Sequence, residues 1–324
     1  MLAIAAALAL AGLLASPHLM RQSRLAPADG IVLWSAVLGL RAAVAVCLVI
    51  VFVLFMPATQ LFTLLTHWCF HAVIPFFATH LGFDGHSLGG AAILVPALVM
   101  AASLLSVGFG AWRGARAVRR WLRGSVLGPG PEHSVIVGGS EVIVAAAGLR
   151  APQVVVSAGA LLNLDDAELR AGLQHEWGHV TRRHRYISLF GQGCRAMSRF
   201  LPGGTAALDA LQLDLERDAD DYAVRRTGDP LALASAICKA ATAQVESHGP
   251  AFARLGGSGV PERLRLLAHG GRPSISRTGT RLARSTAAMM AVLALGLAAA
   301  TPTLASSGLD ELTKVAVHHD SGCE

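Results

Sequence analysis

Four apolar runs, each about as long as a bilayer is thick, constrain this chain more than any other feature. A helix needs about 20 apolar residues to cross hydrocarbon. Residues 2–20, 89–111 and 287–305 each supply such a run, and another lies within 31–65, its lipid core expected to start after Arg41. The 324 residues are 53% hydrophobic and only 15% charged, where soluble domains carry about a quarter charged residues. That balance excludes a disordered chain and argues against an ordinary soluble enzyme. A fifth stretch, 61–81, contains His67, His71, Pro75 and His80 and reads as part of a loop. The first run has no basic residues ahead of it, Arg21 and Arg24 coming after it. It therefore reads as a retained helix and not as a cleaved signal.

Charge orients the spans, because Arg and Lys collect in cytoplasmic loops. Arg21 and Arg24 follow the first run, Arg113, Arg116, Arg119, Arg120 and Arg123 follow the third, and Arg272, Arg277, Arg281 and Arg284 precede the fourth. Residues 57–88 have neither Arg nor Lys. Four spans with the N-terminus outside put every basic loop inside; a fifth span at 61–81 would split them. The expected layout is a multi-pass cell-membrane protein. Residues 1–112 form a three-span membrane region and 113–284 a cytoplasmic domain. The fourth helix is 285–306, and 307–324 form an extracytoplasmic, disordered tail. Arg41 reads as a side chain snorkelling to the inner interface, and the five-Arg cluster as a contact for anionic headgroups. No nucleic-acid motif accompanies these charges, and direct nucleic-acid binding is not expected. Cys69 and Cys323 both fall outside, where pairing is chemically permitted.

The insert between the third and fourth spans is long enough for one domain. Gly128-Pro129-Gly130-Pro131 breaks the helix leaving the membrane. Short β-rich runs follow at 134–137, 141–147 and 153–157, with Gly138-Gly139 suited to a hairpin between the first two. The pattern then turns helical. Asp165 with Glu168 resembles a capping box, and Leu169, Leu173 and Val180 mark an apolar face. A second helix is expected over 206–226, stopped by Thr227-Gly228-Asp229-Pro230, and a third from Leu231.

The first of these helices contains His175-Glu176-Trp177-Gly178-His179. Histidines at i and i+4 share a face and can grip one zinc ion. Glu176, beside the first of them, is placed to take a proton from a water activated by the metal. A catalytic zinc site needs a third protein ligand and an open position. Glu216 supplies the ligand in Leu215-Glu216-Arg217-Asp218-Ala219-Asp220. Asp220 shares its face and would hold a ligand histidine through the ring N–H. The alternative for this acidic run is a solvated helix face shared with Asp214, Asp218 and Asp221. The metal reading predicts one zinc held by His175, His179 and Glu216, with Glu176 as catalytic base.

His175-Glu176-Trp177-Gly178-His179 followed by Glu216-x-x-Ala219-Asp220 resembles the gluzincin-type membrane metallopeptidases. Two relatives compete. The order of spans around the protease, the lead-in 148–156 and the segment 162–173 resemble the BlaR/MecR type, antibiotic-sensing signal-transducing proteases. The Gly178-His179 ending is shared with the HtpX type, membrane quality-control proteases, and Pro261-Glu262-Arg263-Leu264 with both. The fold implied is an α-helical membrane protein with four transmembrane helices and an α+β zincin-like cytoplasmic protease domain. The activity implied is zinc-dependent endoproteolysis of a cytoplasmic or membrane-adjacent protein. On the first resemblance the substrate is a transcriptional repressor, and on the second damaged membrane proteins. Only residues 306–324 follow the last span, so the resemblance does not extend to a β-lactam sensor domain. A non-catalytic receptor or scaffold is disfavoured by Glu176, which a structural zinc site would not require.

Three further expectations concern the site. Val154, Val155 and Val156 form a run that would bind substrate backbone as an exposed sheet edge, though an apolar run equally suits an interior strand. His184 stands where both families often have Asp. Continuous helical spacing puts it off the His175/His179 face, as a spare polar residue. Tyr186, His184 and Tyr222 are the candidates for stabilising an oxyanion.

Overall fold

A computed structural model describes residues 10–19, 25–55, 59, 85–148, 151–246, 259–269 and 277–320. Among the described residues three helices are long and apolar enough to cross a membrane, at Pro27–Phe55, Leu94–Ser125 and Arg277–Ser307. The first begins with Pro at its opening position and Asp29 in its first turn, both suited to a helix N-terminus. It ends two residues before Pro57, which disfavours helix in the residue ahead of it. We call this helix α1 (Pro27–Phe55), and the longer helices holding the other two segments α2 (Gly85–Ser125) and α9 (Arg277–Asp320). Residues 10–15 are helical and Ser16–Leu19 forms a 3-10 turn. Most of the first expected span, the stretch 61–81, Cys69 and Cys323 lie outside the described residues. The tail expected to be disordered is helical as far as Asp320.

Between α2 and α9 lies a four-stranded sheet, β1 (Val126–Pro129), β2 (Val135–Val137), β3 (Val144–Ala147) and β4 (Gln153–Ser157), in the order β1-β2-β4-β3. Helices α3 (Ala158–Asn163), α4 (Asp166–Thr181), α5 (His184–Met197), α6 (Gly204–Thr227), α7 (Pro230–Glu246) and α8 (Val260–Ala268) follow.

The hairpin is not where Gly138-Gly139 suggested. β1 pairs antiparallel with β2, and the Gly-Pro-Gly-Pro break supplies their turn, closed by the Gly130 N–H donating to the Ser134 carbonyl at 2.8 Å. β2 instead runs parallel to β4. The 138–143 segment crosses the end of β4 and is stapled there by Ser157. The Ser157 hydroxyl donates to the Glu141 carbonyl and accepts from the Ile143 and Ala160 N–H groups. Gly159 permits this close passage, since a Cβ there would sit 2.1 Å from the Ser140 carbonyl oxygen.

β4 is fully buried at Val154, Val155 and Val156 and is paired on both edges, with β2 and with β3. It is therefore an interior strand, and its expected role as a substrate edge is excluded: its backbone groups are spent within the sheet. The period-2 alternation of strands divides the sheet's contacts. Val137, Ala147 and Val155 pack with Val118, Trp121 and Leu122 at the end of α2. Val144, Val154 and Val156 face Leu173 of α4 and Leu233 and Ile237 of α7.

α1 carries the domain against the membrane helices. Trp34, Val37 and Leu38 share a core with Cys194 of α5, Leu208, Leu211 and Leu215 of α6, and Met290 of α9. Asp29 pairs with Arg284 at 2.7 Å. Arg217 reaches back to the Leu25 carbonyl at 3.0 Å while pairing with buried Asp214. Arg41 does not snorkel. It is 5% exposed, and its guanidinium donates to the Pro202 carbonyl and, at 3.5 Å, to that of Leu14. The loop joining α5 to α6 thus encloses it.

Candidate metal centre

α4 is fixed at its start by the capping box read in the sequence. Asp165 accepts from the Glu168 N–H at 2.8 Å, and Glu168 accepts from the Asp165 N–H at 2.9 Å. From that origin His175 and His179 fall on the face toward α6. Gly178 lets the two helices close, because a Cβ there would lie 3.2 Å from Ala219 Cα and Tyr222 Cβ.

The structure brings His175, His179 and Glu216 to one point, with one donor atom from each within 4.8 Å of the others. His175 Nε2 lies 3.2 Å from His179 Nε2 and 3.4 Å from Glu216 Oε2, and His179 Nε2 lies 3.6 Å from Glu216 Oε1. Ligand bonds of about 2.0–2.1 Å in a tetrahedron put donor atoms about 3.3 Å apart. The donor set, two imidazoles and a carboxylate, and its spacing therefore fit zinc.

Buried charge points the same way. Burial alone would discharge His175, but Asp220 and Glu216 outweigh it and raise its pKa to about 9. His179 is pushed down to about 3, chiefly by burial. Burial also opposes the charge of Glu216, yet His175, His179 and Arg263 bring its pKa down to about 2. The carboxylates thus call for positive charge beside His175, and a divalent cation would satisfy the same demand.

Asp220 Oδ1 lies 2.9 Å from His175 Nδ1. The solvated-face alternative fails, since Asp214, Asp218 and Asp220 are each at most 5% exposed. Asp220 is itself clamped by Arg263, whose Nε and Nη2 donate at 2.8 and 2.7 Å. Arg263 Nη1 also approaches Glu216 Oε2 at 2.9 Å. Arg263 is fully buried. The sequence offered it only within Pro261-Glu262-Arg263-Leu264, without a role.

His184 is no spare residue. It is 3% exposed, its Nδ1 lies 3.0 Å from His179 Nδ1, and its Nε2 lies 3.0 Å from Asp218 Oδ2. Asp218 also pairs with Arg182. If Nε2 of His179 faces a metal, its proton sits on Nδ1 and is donated to His184, which donates to Asp218 in turn. Helical spacing misplaced His184 because α4 stops at Thr181 and Arg183 adopts a left-handed conformation, φ 56 and ψ 33, before α5 begins.

Glu176 is 5% exposed, and its Oε2 accepts the Ala146 N–H of β3 at 2.8 Å. Burial, with Glu216 nearby, pushes its pKa up to about 7. Of the oxyanion candidates, Tyr186 is exposed, Tyr222 lies between the Arg182 and Arg226 guanidiniums, and His184 is engaged as described.

Residues 128–218 match the model of peptidase family M48. The match begins in β1, includes His175, Glu176, His179 and Glu216, and ends before Asp220 and Arg263. No curated protein and no solved structure matches the chain. The match, the His-His-Glu group and the three apolar helices support a metallopeptidase associated with a membrane.

Proposed function

We propose that this chain is an integral membrane zinc endopeptidase acting on a cytoplasmic or membrane-adjacent protein. The observation that carries the reading is the convergence of His175, His179 and Glu216 beside a buried Glu176 that is tied to a sheet edge. Zinc held by those three side chains would supply Lewis acidity, lowering the pKa of a coordinated water to about 7 and polarising a carbonyl. Glu176 accepts the proton of the attacking water and returns it to the departing amine. The Ala146 N–H fixes Oε2 and so aims the carboxylate. Asp220 and His184 hold the two imidazoles, and Arg263 compensates the carboxylates behind them.

The substrate edge is β3 in place of β4. Among the described residues β3 has β4 on one side only. The Ser157 N–H donates to the Ile143 carbonyl at 2.9 Å, so residues 143, 145 and 147 turn toward β4. The backbone groups of Val144 and Ala146 turn away from β4; Glu176 takes the Ala146 N–H, which leaves the Val144 groups and the Ala146 carbonyl for a peptide. An extended peptide added along this edge places its carbonyl beside Glu176 in fixed geometry.

The arrangement of spans around the domain favours a BlaR/MecR-like role with a repressor as substrate, which is analogy. An HtpX-like quality-control protease is the second reading, favoured by the Gly178-His179 ending. Proteomics separates them by one or two products against many. The proposal is tested by Glu176→Gln, which should retain zinc at wild-type stoichiometry and lose proteolysis. Equal cleavage by the variant and the wild type would defeat it.

A further inference from the structure

We infer that the α5–α6 hairpin is a membrane-embedded element, entering the cytoplasmic leaflet beside α2 with its tip in contact with lipid chains. The inference rests on the reading that α1, α2 and α9 cross a bilayer.

α2 serves as a depth ruler. Its cytoplasmic boundary is marked by Trp112 and by the run of arginines from Arg113, with Arg113 and Arg116 stacked on the Phe109 and Trp112 rings. Aromatic and basic residues of this kind sit at the headgroup level. Ser103 lies ten residues earlier, about 15 Å deeper at about 1.5 Å per residue. Around it Leu98, Leu104 and Leu105 are exposed, a lipid-facing surface on the spanning reading. Yet Arg199, in the hairpin tip, donates to Ser103 Oγ at 2.9 Å. The tip is therefore at the depth of Ser103.

α1 gives the same depth independently. Asp29 pairs with Arg284, the last of the basic residues before the apolar run of α9. Arg41, twelve residues further along α1, is about 18 Å deeper along the helix axis. It donates to the Pro202 carbonyl in the same tip. A guanidinium so deep in hydrocarbon would be costly alone; here the hairpin's carbonyl accepts from its Nη1.

The hairpin's outer surface matches that depth. Phe190 is 50% and Phe200 46% exposed, and the Phe190 ring lies 3.7 Å from where a Cβ of Gly39 would sit, ten residues past Asp29 on α1. Arg195 is bonded to Thr205 at 3.4 Å. Arg195, Arg199 and Asp209 are exposed charges on this part of the hairpin, and the long arginine side chains can extend toward the headgroups. A consequence is that the metal centre, reached at the other end of α5, stays close to the membrane surface.

The test uses the full chain in lipid nanodiscs, in a background with all five cysteines replaced by alanine. Single cysteines are introduced as Phe200→Cys, Phe190→Cys, Leu98→Cys and Leu162→Cys and labelled with an environment-sensitive fluorophore. Zinc content is measured in each sample to verify the fold. Quenching by lipids with nitroxides on their acyl chains is compared with quenching by aqueous iodide. Positions 200 and 190 should lose fluorescence to the lipid quencher as position 98 does, while position 162 responds to iodide. Iodide quenching at 200 and 190 with lipid quenching at 98 would overturn the hairpin's insertion and leave the spans intact. Protection of 200 and 190 from both quenchers would also overturn it, showing protein there. Iodide quenching at 98 itself would overturn the spanning reading.

Discussion

His184 reaches the candidate metal centre only through another side chain. Its ring spans from His179 Nδ1 to Asp218 Oδ2 at 3.0 Å on each side. With His179 Nε2 on a metal, removing His184 would leave the His179 Nδ1–H without its acceptor and free the ring to turn. Outer partners of this kind typically govern affinity or activity by about 10- to 100-fold. His184→Ala should weaken zinc binding by that order, measured by chelator competition. His184→Asn, whose Oδ1 can take the place of Nδ1, should recover part of the loss. An unchanged affinity in the alanine variant would show that the contact does not position His179. The residues most legible in the sequence were those whose geometry is local. His175 with His179, and Glu216 with Asp220, are each i, i+4 pairs on one helix, so spacing alone places them on a face. His184, Arg263 and Ala146 were hidden for different reasons. A left-handed residue broke the helix ahead of His184, Arg263 arrives from α8 far along the chain, and Ala146 acts through its backbone N–H, which no side-chain pattern reveals.

At the scale of elements, Glu168 joins two of them. It closes the capping box of α4 and also accepts from Ser235 Oγ at 2.5 Å and Lys239 Nζ at 2.6 Å on α7. Burial opposes its charge, but Lys239, Ser235 and the Asp165 N–H outweigh it and hold the carboxyl below its ordinary value. The stabilisation is therefore complete above the unfolded pKa of about 4.3 and is lost as pH falls through the lower folded pKa. Glu168→Ala removes a cap interaction and charged hydrogen bonds, a loss of about 2 kcal/mol. It should lower the thermal midpoint at neutral pH, with the difference from wild type shrinking in acid below the folded pKa. No change at neutral pH would contradict this. Elements with a local stop or start were readable in advance. The expected helix over 206–226 is α6 at Gly204–Thr227, and its successor begins at Pro230. Strand pairing was not readable, because it depends on distant partners. The Val-rich run of β4 suits either an edge or a buried strand, and its neighbours on both sides decided the matter.

For the whole molecule, the direction of the helices ties the candidate metal centre to one side of the membrane. α1 and α9 pack along each other and run the same way. Asp29 meets Arg284 near their starts, and Cys47 Sγ lies 3.9 Å from the Leu297 carbonyl further on. Both leave from the end beside the domain that holds the candidate metal centre, whereas α2 returns to it and delivers β1. That shared end carries Arg113, Arg116, Arg119, Arg120 and Arg123 on α2 and Arg277, Arg281 and Arg284 on α9. Such an excess of arginine marks the cytoplasmic side. The domain should therefore face the cytoplasm, and the far end of α9 the exterior. A membrane-impermeant thiol reagent added to intact cells distinguishes the two faces, in a background without the native cysteines. Leu127→Cys uses an exposed position on β1, 68% accessible, and Ser307→Cys an exposed one late in α9. Position 307 should react in intact cells, and position 127 only after permeabilisation. The opposite pattern would place the domain outside. Reaction at neither position before permeabilisation would put both ends of α9 on one side, contradicting its span.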